Sequence, residues 1–190
     1  MVSEFGSTLF VIAKDVKLQI EFNPSKVQAY RLIGYENRLL NDEDFDNDAK
    51  DAGEMGAGHT VTALYEIIPV GIESEYIKSV GDLKYQSTKV NKDAENSDEM
   101  ANLSIRYKEP KSAKSIKFVI PIQDVEKSIE NCSSLYRFSA SVALFGMLLR
   151  DSKLVSNVDY QTVLQLASNS KGNDNGGYRN EFIELVKRVQ

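Results

Sequence analysis

The sequence predicts an α+β protein, with an antiparallel β-sandwich-like sheet region followed by a C-terminal unit of about three helices. Up to about residue 130, apolar residues recur at every second position in short runs separated by turn residues. After that point they recur at every third or fourth position. These are the periods of strands and helices. Six or seven short strands with turn residues between them favour an antiparallel sheet.

The clearest strand is Val16–Phe22, whose residues alternate between apolar and polar over the whole run. A proline-containing turn at Asn23–Ser25 separates it from a strand predicted at 27–36, so we expect these two strands to pair as a hairpin. Other alternating runs predict strands at 61–68, 83–87, 103–107 and 116–122. The polar run at 89–102 predicts an exposed loop. Short strands with turn residues between them favour a sandwich-like arrangement.

The hydrophobic period changes in the last third of the chain. The run Ser134–Asp151 has apolar residues three and four positions apart, which predicts a long helix with a wide buried face. Asp159 predicts the N-cap of a second helix at Tyr160–Ser168, and a glycine pair separates this from a third helix at Tyr178–Val189. We expect the long helix to pack on the sheet. No apolar run reaches the ~18 residues of a membrane span, so no transmembrane segment is predicted.

One segment carries most of the negative charge. Residues 42–54 contain seven acidic residues and one lysine, while the formal net charge of the whole chain is −5. The rest of the chain is therefore close to neutral. Its lysines are interleaved with acids and form no basic stripe of the kind that binds nucleic acid. We predict a solvated acidic loop and no nucleic-acid partner.

The first acids of this loop have a spacing found in calcium sites. Asp42, Asp44 and Asp46 lie two residues apart, as do the first three ligands of an EF-hand loop. The rest of the pattern fails, because Asn47 stands where the EF-hand needs glycine and Gly53 where it needs a bidentate glutamate. The weak metal candidates are Asp42, Asp44, Asp46 and Asp48. A calcium-responsive binding module that uses the acidic loop 42–54 is the alternative function.

Residues for catalysis are scarce. The chain has one histidine, His59, and one cysteine, Cys132, and no diagnostic motif surrounds either. A zinc site and a cysteine–histidine nucleophile are therefore not predicted. The glycines that follow the acidic loop lack the spacing of a phosphate-binding loop. We expect no enzyme activity, no catalytic residue and no cofactor in these residues.

Three runs of sequence carry a family resemblance. They are DVKLQIEFNPSKVQAYRLIGYENRLLNDEDFDNDAKDAGEMGAGHTVTALYEIIP (15–69), YRFSASVALFGMLLRDS (136–152) and NEFIELVKRVQ (180–190). The chain resembles the region that follows the von Willebrand factor type A domain in a family of bacterial envelope proteins. The resemblance implies three parts: residues 1–14 as the tail end of the preceding type A domain, 15–130 as a β-rich sandwich-like domain, and 131–190 as a helical unit packed on it.

The resemblance also implies a role. The type A domain of such proteins holds a divalent cation through a DxSxS motif, which does not occur in these residues. The cation is thus expected only in the absent type A domain, and no binding residue can be assigned here. The implied function is a non-enzymatic accessory, structural or protein-interaction region. Its expected partners are its own upstream type A domain and an unidentified protein ligand. The expected location is the bacterial cell envelope, periplasmic or at the surface, with a lipid anchor on an N-terminal segment preceding this chain.

Overall fold

The computed structural model describes residues 10–35, 39–77, 89–155 and 157–190, which divide into two compact units. The first unit extends to Asp124, and the second comprises Val125–Gln190. All the described strands lie in the first unit and are paired antiparallel, and the three long helices lie in the second. The structure therefore confirms the α+β class. The strand predicted at 83–87 lies outside the described residues.

The described strands of the first unit form two separate sheets. The strands are β1 (Val11–Phe22), β2 (Val27–Ile33), β3 (Gly53–Gly56), β4 (Leu64–Pro69), β5 (Glu99–Lys108) and β6 (Ser115–Gln123). The larger sheet has four strands in the order β3-β1-β5-β6, and the smaller sheet pairs β2 with β4. The predicted loop at 89–102 is more ordered than expected. It contains a short helix, α1 (Lys92–Glu95), and the start of β5, where Ala101 is buried.

The predicted hairpin of β1 and β2 is wrong, because the two strands belong to different sheets. The turn at Asn23 is present, since the Asn23 carbonyl accepts from the backbone N–H groups of Lys26 and Val27. The Asn23 side-chain amide donates to the carbonyls of Ala94 and Glu99, both at 2.9 Å. These bonds tie the turn to the chain that enters β5, so β5 rather than β2 pairs with β1.

The register of the four-stranded sheet separates its two faces. On one face, apolar residues from β1, β5 and β6 stand opposite one another in three rows: Leu18, Ile105 and Phe118; Ile20, Leu103 and Ile120; Phe22, Ala101 and Ile122. We call this the apolar face. The opposite face carries a row of cations, Lys17, Arg106 and Lys117. We call this the basic face.

The unit boundaries differ from those implied by the resemblance. Residues 11–14, assigned there to a preceding domain, belong to β1, with Val11 opposite Gly56 and Lys14 opposite Lys108. The first unit ends at Asp124 rather than near 130. The backbone N–H of Asp124 donates to the Asp98 carbonyl at 2.9 Å, and this bond joins the end of β6 to the start of β5.

The described part of the second unit contains three long helices, α2 (Ser134–Leu149), α3 (Tyr160–Ser170) and α4 (Tyr178–Val189). The predicted cap of α3 is confirmed, because the Asp159 carboxylate accepts from the Thr162 N–H at 2.8 Å. The N-cap residue of α4 is Gly177, which has no side chain, and the Asp174 carboxylate accepts instead from the N–H groups of Arg179 and Asn180. Such caps satisfy donors that a helix leaves unpaired at its N-terminus.

The centre of the helical unit is formed by Phe145, Val163 and Val186, one from each helix. The rings of Tyr160 and Phe182 meet Phe145 edge-to-face, at centroid distances of 6.0 and 5.4 Å. The expected packing of the long helix on the sheet stays a prediction. None of the described helices has the length and apolar content to cross a membrane.

We expect Phe145→Ala to lower the free energy of unfolding of the helical unit by about 3–5 kcal/mol, because it leaves a cavity among three helices. The measurement is urea denaturation followed by far-ultraviolet circular dichroism. Leu149→Ala, at an exposed position of the same helix, is the matched control and should cost about 0.5 kcal/mol or less. Equal losses for the two variants would contradict this core assignment.

Candidate functional site

The basic face presents an electrostatic problem. Arg106 stands directly opposite Lys17 on one side and Lys117 on the other. Like charges placed directly opposite each other in neighbouring strands destabilise a sheet. Three adjacent strands therefore need anions over this row, and the acidic loop between β2 and β3 provides them.

Lys17 is the most buried cation of the row, with 3% of its surface exposed. Its ammonium group donates to the backbone carbonyls of Asp44 and Asn47, at 3.0 and 2.5 Å. A buried ammonium group is costly unless it is hydrogen-bonded. Here the loop backbone supplies acceptors, and Lys17 in turn holds the loop against the sheet.

Arg106 and Lys117 bind the loop through its carboxylates. The two terminal nitrogens of Arg106 contact the carboxylates of Asp46 and Asp48 at 2.8 and 3.0 Å. Lys117 lies 3.4 Å from the Asp46 carboxylate. The Ser115 hydroxyl also donates to Asp48. Residues of both β5 and β6 thus bind the carboxylates of the acidic loop.

The loop is also anchored by an apolar side chain. Phe45 is only 2% exposed, although its neighbours on both sides are acidic. The ammonium group of Lys117 lies over the Phe45 ring, 4.9 Å from its centroid, in the range of a cation–π interaction. A short 3₁₀ turn at Asp42–Asp44 directs Phe45 inward. The loop is therefore a docked segment, with both apolar and charged anchors.

A bulge in β1 provides the last fixed point. Asp15 has a positive φ of 52° where the β1–β5 register shifts. Its carboxylate binds the Lys108 ammonium at 2.7 Å and accepts from the Ala52 N–H at 3.2 Å. Lys108 also donates to the Asp48 carbonyl at 2.9 Å. The bulge therefore joins β1 and β5 to the end of the acidic loop, immediately before β3 begins and pairs with β1.

These contacts shift the pKa values of the groups that make them. The hydrogen bond from Lys108 is the main cause that lowers the pKa of Asp15. The same bond raises the pKa of Lys108. The Ser115 hydroxyl, with help from Arg106, lowers the pKa of Asp48. Each shift favours the charged form of the group, so the ionised state at neutral pH is the state that holds the loop.

The prediction of a solvated acidic loop is therefore wrong about what stabilises the negative charges of the loop. The carboxylates keep contact with water, but protein cations pair with several of them. Asp44 is paired with Lys50 at 3.4 Å, while Asp42 begins the 3₁₀ turn. Among the described residues, no group of three or more His, Cys, Asp or Glu side chains is placed to hold a metal ion. The calcium alternative stays a prediction, which the melting temperature with and without calcium would test.

The remaining candidates lie elsewhere. The backbone N–H of His59 donates to the Gly56 carbonyl at 3.1 Å, in a turn where Gly58 has a φ of 79°. Cys132 belongs to the other unit, with its sulfur 3.5 Å from the Ser128 carbonyl. Sequence reasoning missed the basic row, because its three cations lie far apart in the chain. The available signal was twofold. The three cations occupy the polar positions of alternating strands, and the chain contains an acidic loop whose charges could pair with them.

The fold and the site define a class of protein: an α+β region in which a four-stranded sheet binds its own acidic loop and a three-helix unit follows. The chain belongs to the family described as "Uncharacterized protein YfbK, C-terminal", which matches residues 7–190. The curated protein "Uncharacterized protein YfbK" of Escherichia coli (strain K12) is 40% identical over 185 residues. These cover 97% of this chain but 31% of the relative. No solved structure matches the chain.

We expect Lys17→Met to lower the free energy of unfolding by about 1–3 kcal/mol, because the Asp44 and Asn47 carbonyls lose a buried charged donor. The loss is reduced in part by weaker repulsion along the basic row. We also expect faster cleavage of the loop by endoproteinase Asp-N, since the loop is released from the sheet. Urea denaturation and timed proteolysis measure the two effects.

Lys50→Met is the matched control for this loop, because Lys50 pairs with Asp44 at an exposed position. Exposed ion pairs contribute about 1 kcal/mol or less, so this variant should resist Asp-N as the unmodified chain does. Unchanged proteolysis of Lys17→Met would show that Lys17 does not hold the loop.

We expect the stability of the first unit to fall on both sides of a plateau in pH. The pKa of Asp15 is lowered from 3.8, so its contribution is present above pH 3.8 and is lost as pH falls through the folded value. The pKa of Lys108 is raised from 10.5, so its contribution is present below pH 10.5 and is lost as pH rises through the folded value. Urea denaturation at a series of pH values measures both limbs.

Lys108→Met should reduce the loss on the alkaline side. Tyr65 contributes there as well, because burial raises its pKa from 10.0 and its stabilising neutral form is lost at high pH. Tyr65→Phe is the matched variant that removes this second contribution. An alkaline limb unchanged by Lys108→Met would contradict the role of the Asp15–Lys108 pair.

Proposed function

We propose that this chain is a non-enzymatic accessory region that follows a von Willebrand factor type A domain in a bacterial envelope protein. It supports that domain and offers it, or a protein ligand, a surface for interaction. Membership of the family named for the C-terminal part of a longer protein supports this proposal. The chain spans 31% of the length of its E. coli relative, which leaves room for a further domain.

The observation that carries the proposal is the difference between the two faces of the four-stranded sheet. The basic face is satisfied internally by the acidic loop. The apolar face instead exposes large side chains, including Leu18 at 50% and Phe118 at 43%. An exposed contiguous apolar patch marks a surface that contacts another protein segment. A sheet whose cations are paired on one face and whose large apolar side chains are exposed on the other is suited to packing against a partner.

The local contacts of the few chemically reactive side chains fit a non-enzymatic role. The backbone N–H of His59 closes a turn by donating to the Gly56 carbonyl, and the Cys132 sulfur lies 3.5 Å from the Ser128 carbonyl. The carboxylates of Asp46 and Asp48 form ion pairs with the Arg106 side chain. They therefore act as structural partners of a basic residue rather than as acid–base groups.

We expect the E. coli relative to fractionate with the cell envelope and to capture its ligand in magnesium but not in a chelator, because a type A domain binds through its cation. We expect the 190-residue chain alone to capture nothing that depends on metal. The measurement is a pull-down from envelope extract with the full-length relative and with this chain as parallel baits, each in magnesium and in chelator.

Two results would overturn the proposal. One is recovery of the full-length relative in the cytosolic fraction. The other is a reproducible turnover by the purified chain that is lost in His59→Ala or in Cys132→Ala. Asn131→Ala, an exposed change beside Cys132, controls for general damage to that segment.

A further inference from the structure

The apolar face is continuous across three strands. Its rows bring together residues from β1, β5 and β6 with no charged side chain among them. The fourth apolar pair, Tyr107 opposite Ile116, extends the face beyond the row of Leu18. Transfer of one such large apolar side chain out of water contributes about 1.5–3 kcal/mol when burial is complete. Leaving several of them exposed together is therefore a considerable cost for the first unit.

One end of the apolar face already has a cover. The Phe22 ring contacts Tyr30 of β2 and Tyr65 of β4, at centroid distances of 4.4 and 5.5 Å. In that same row Ala101 is 3% exposed. The two-stranded sheet thus begins a second layer over the four-stranded sheet. A layer of two strands is narrower than the sheet that it covers, and an isolated pair of strands is only marginally stable.

Elsewhere the described residues of the apolar face are in part exposed. Leu18, Phe118 and Ile120 are 50%, 43% and 42% exposed. They lie in the two rows next to the Phe22 row. An occupant must be apolar, because the face has no charge with which to attract nucleic acid, acidic peptide or lipid headgroup. It must also pack on a pleated sheet, as a helix or the strands of a second sheet do. Strands are favoured here because β2 and β4 already begin such a sheet.

We propose that apolar strands from the part of the longer polypeptide outside these 190 residues cover this face and complete the layer begun by β2 and β4. This inference rests on the proposed function, which makes the chain one region of a longer envelope protein. The relative in E. coli has more than two-thirds of its length outside the match, which is ample to supply strands. Pro121, within the edge strand β6, disfavours the competing edge-to-edge addition of a second copy.

The test is thiol labelling of cysteines placed on the two faces of one strand. Ile120→Cys lies on the apolar face, and Val119→Cys, its neighbour on the opposite face, is 48% exposed in the native chain and is the matched control. Trypsin cleavage after Lys117 and Lys127 puts both positions in one peptide, so mass spectrometry separates their labelling from that of any other cysteine. The two proteins compared are the 190-residue chain and the E. coli relative carrying this chain in place of its matching segment.

We expect both cysteines to react readily in the 190-residue chain. In the long protein, Ile120→Cys should react at least about tenfold more slowly, while Val119→Cys keeps its rate within about twofold, because thiol reactivity follows exposure. Leu18→Cys and Glu21→Cys form a second pair of this kind in β1 and also share a tryptic peptide. If the hybrid protein does not fold, the aligned positions of the E. coli relative itself, full-length against its matching segment, give the same comparison.

Fast labelling of Ile120→Cys in the long protein would overturn the proposal. Slow labelling of Ile120→Cys already in the 190-residue chain would also overturn it. If that labelling becomes slower as the concentration of the chain rises, the occupant is a second copy of the chain. Failure of this inference and failure of the proposed function are distinguishable. If Ile120→Cys is protected in a long protein that captures no ligand and is not in the envelope, this inference holds and the proposed function fails. If the long protein is in the envelope and captures its ligand but Ile120→Cys is labelled fast, the proposed function holds and this inference fails.

Discussion

The first unit depends on the neutralisation of a row of cations that three neighbouring strands bring face to face. Lys17, Arg106 and Lys117 are adjacent only because the register of β1, β5 and β6 makes them so. Unpaired, they would oppose the pairing of those strands. The acidic loop supplies two carboxylates and two backbone carbonyls to the row. Strand register and loop docking are therefore stabilised together, since each creates the partners of the other.

This arrangement gives the sheet two faces with different roles. The cations of the basic face are paired with groups of the acidic loop. The Asp15 carboxylate at the bulge of β1 also pairs with Lys108, which holds the end of that loop. The apolar face is covered at one end, where Phe22 contacts Tyr30 and Tyr65, while Leu18 and Phe118 are exposed. In the function proposed above, the exposed face is the surface that contacts another part of a longer polypeptide. The family to which the chain belongs is consistent with that setting.

Local patterns predicted local structure well. The cap at Asp159 and the helix Tyr178–Val189 are present as expected, because capping and helical periodicity depend on residues within one or two turns. The pairing of strands was harder. The expected hairpin of β1 and β2 fails because the Asn23 amide bonds to Ala94 and Glu99, more than seventy residues away. No period or turn residue reports a contact at that distance.

By itself the sequence determined the three long helices and most of the strands, that the acid is concentrated in one loop, and that reactive side chains are few. Those properties follow from neighbouring residues and from composition. Sequence reasoning missed β3, the short helix α1 and the start of β5. Only the tertiary structure decided what the acids do. It brings Asp46 and Asp48 to Arg106 across about sixty residues of chain, which turns an apparently solvated loop into the counter-charge of a sheet. Coulombic partners are chosen by distance in space, and register sets that distance.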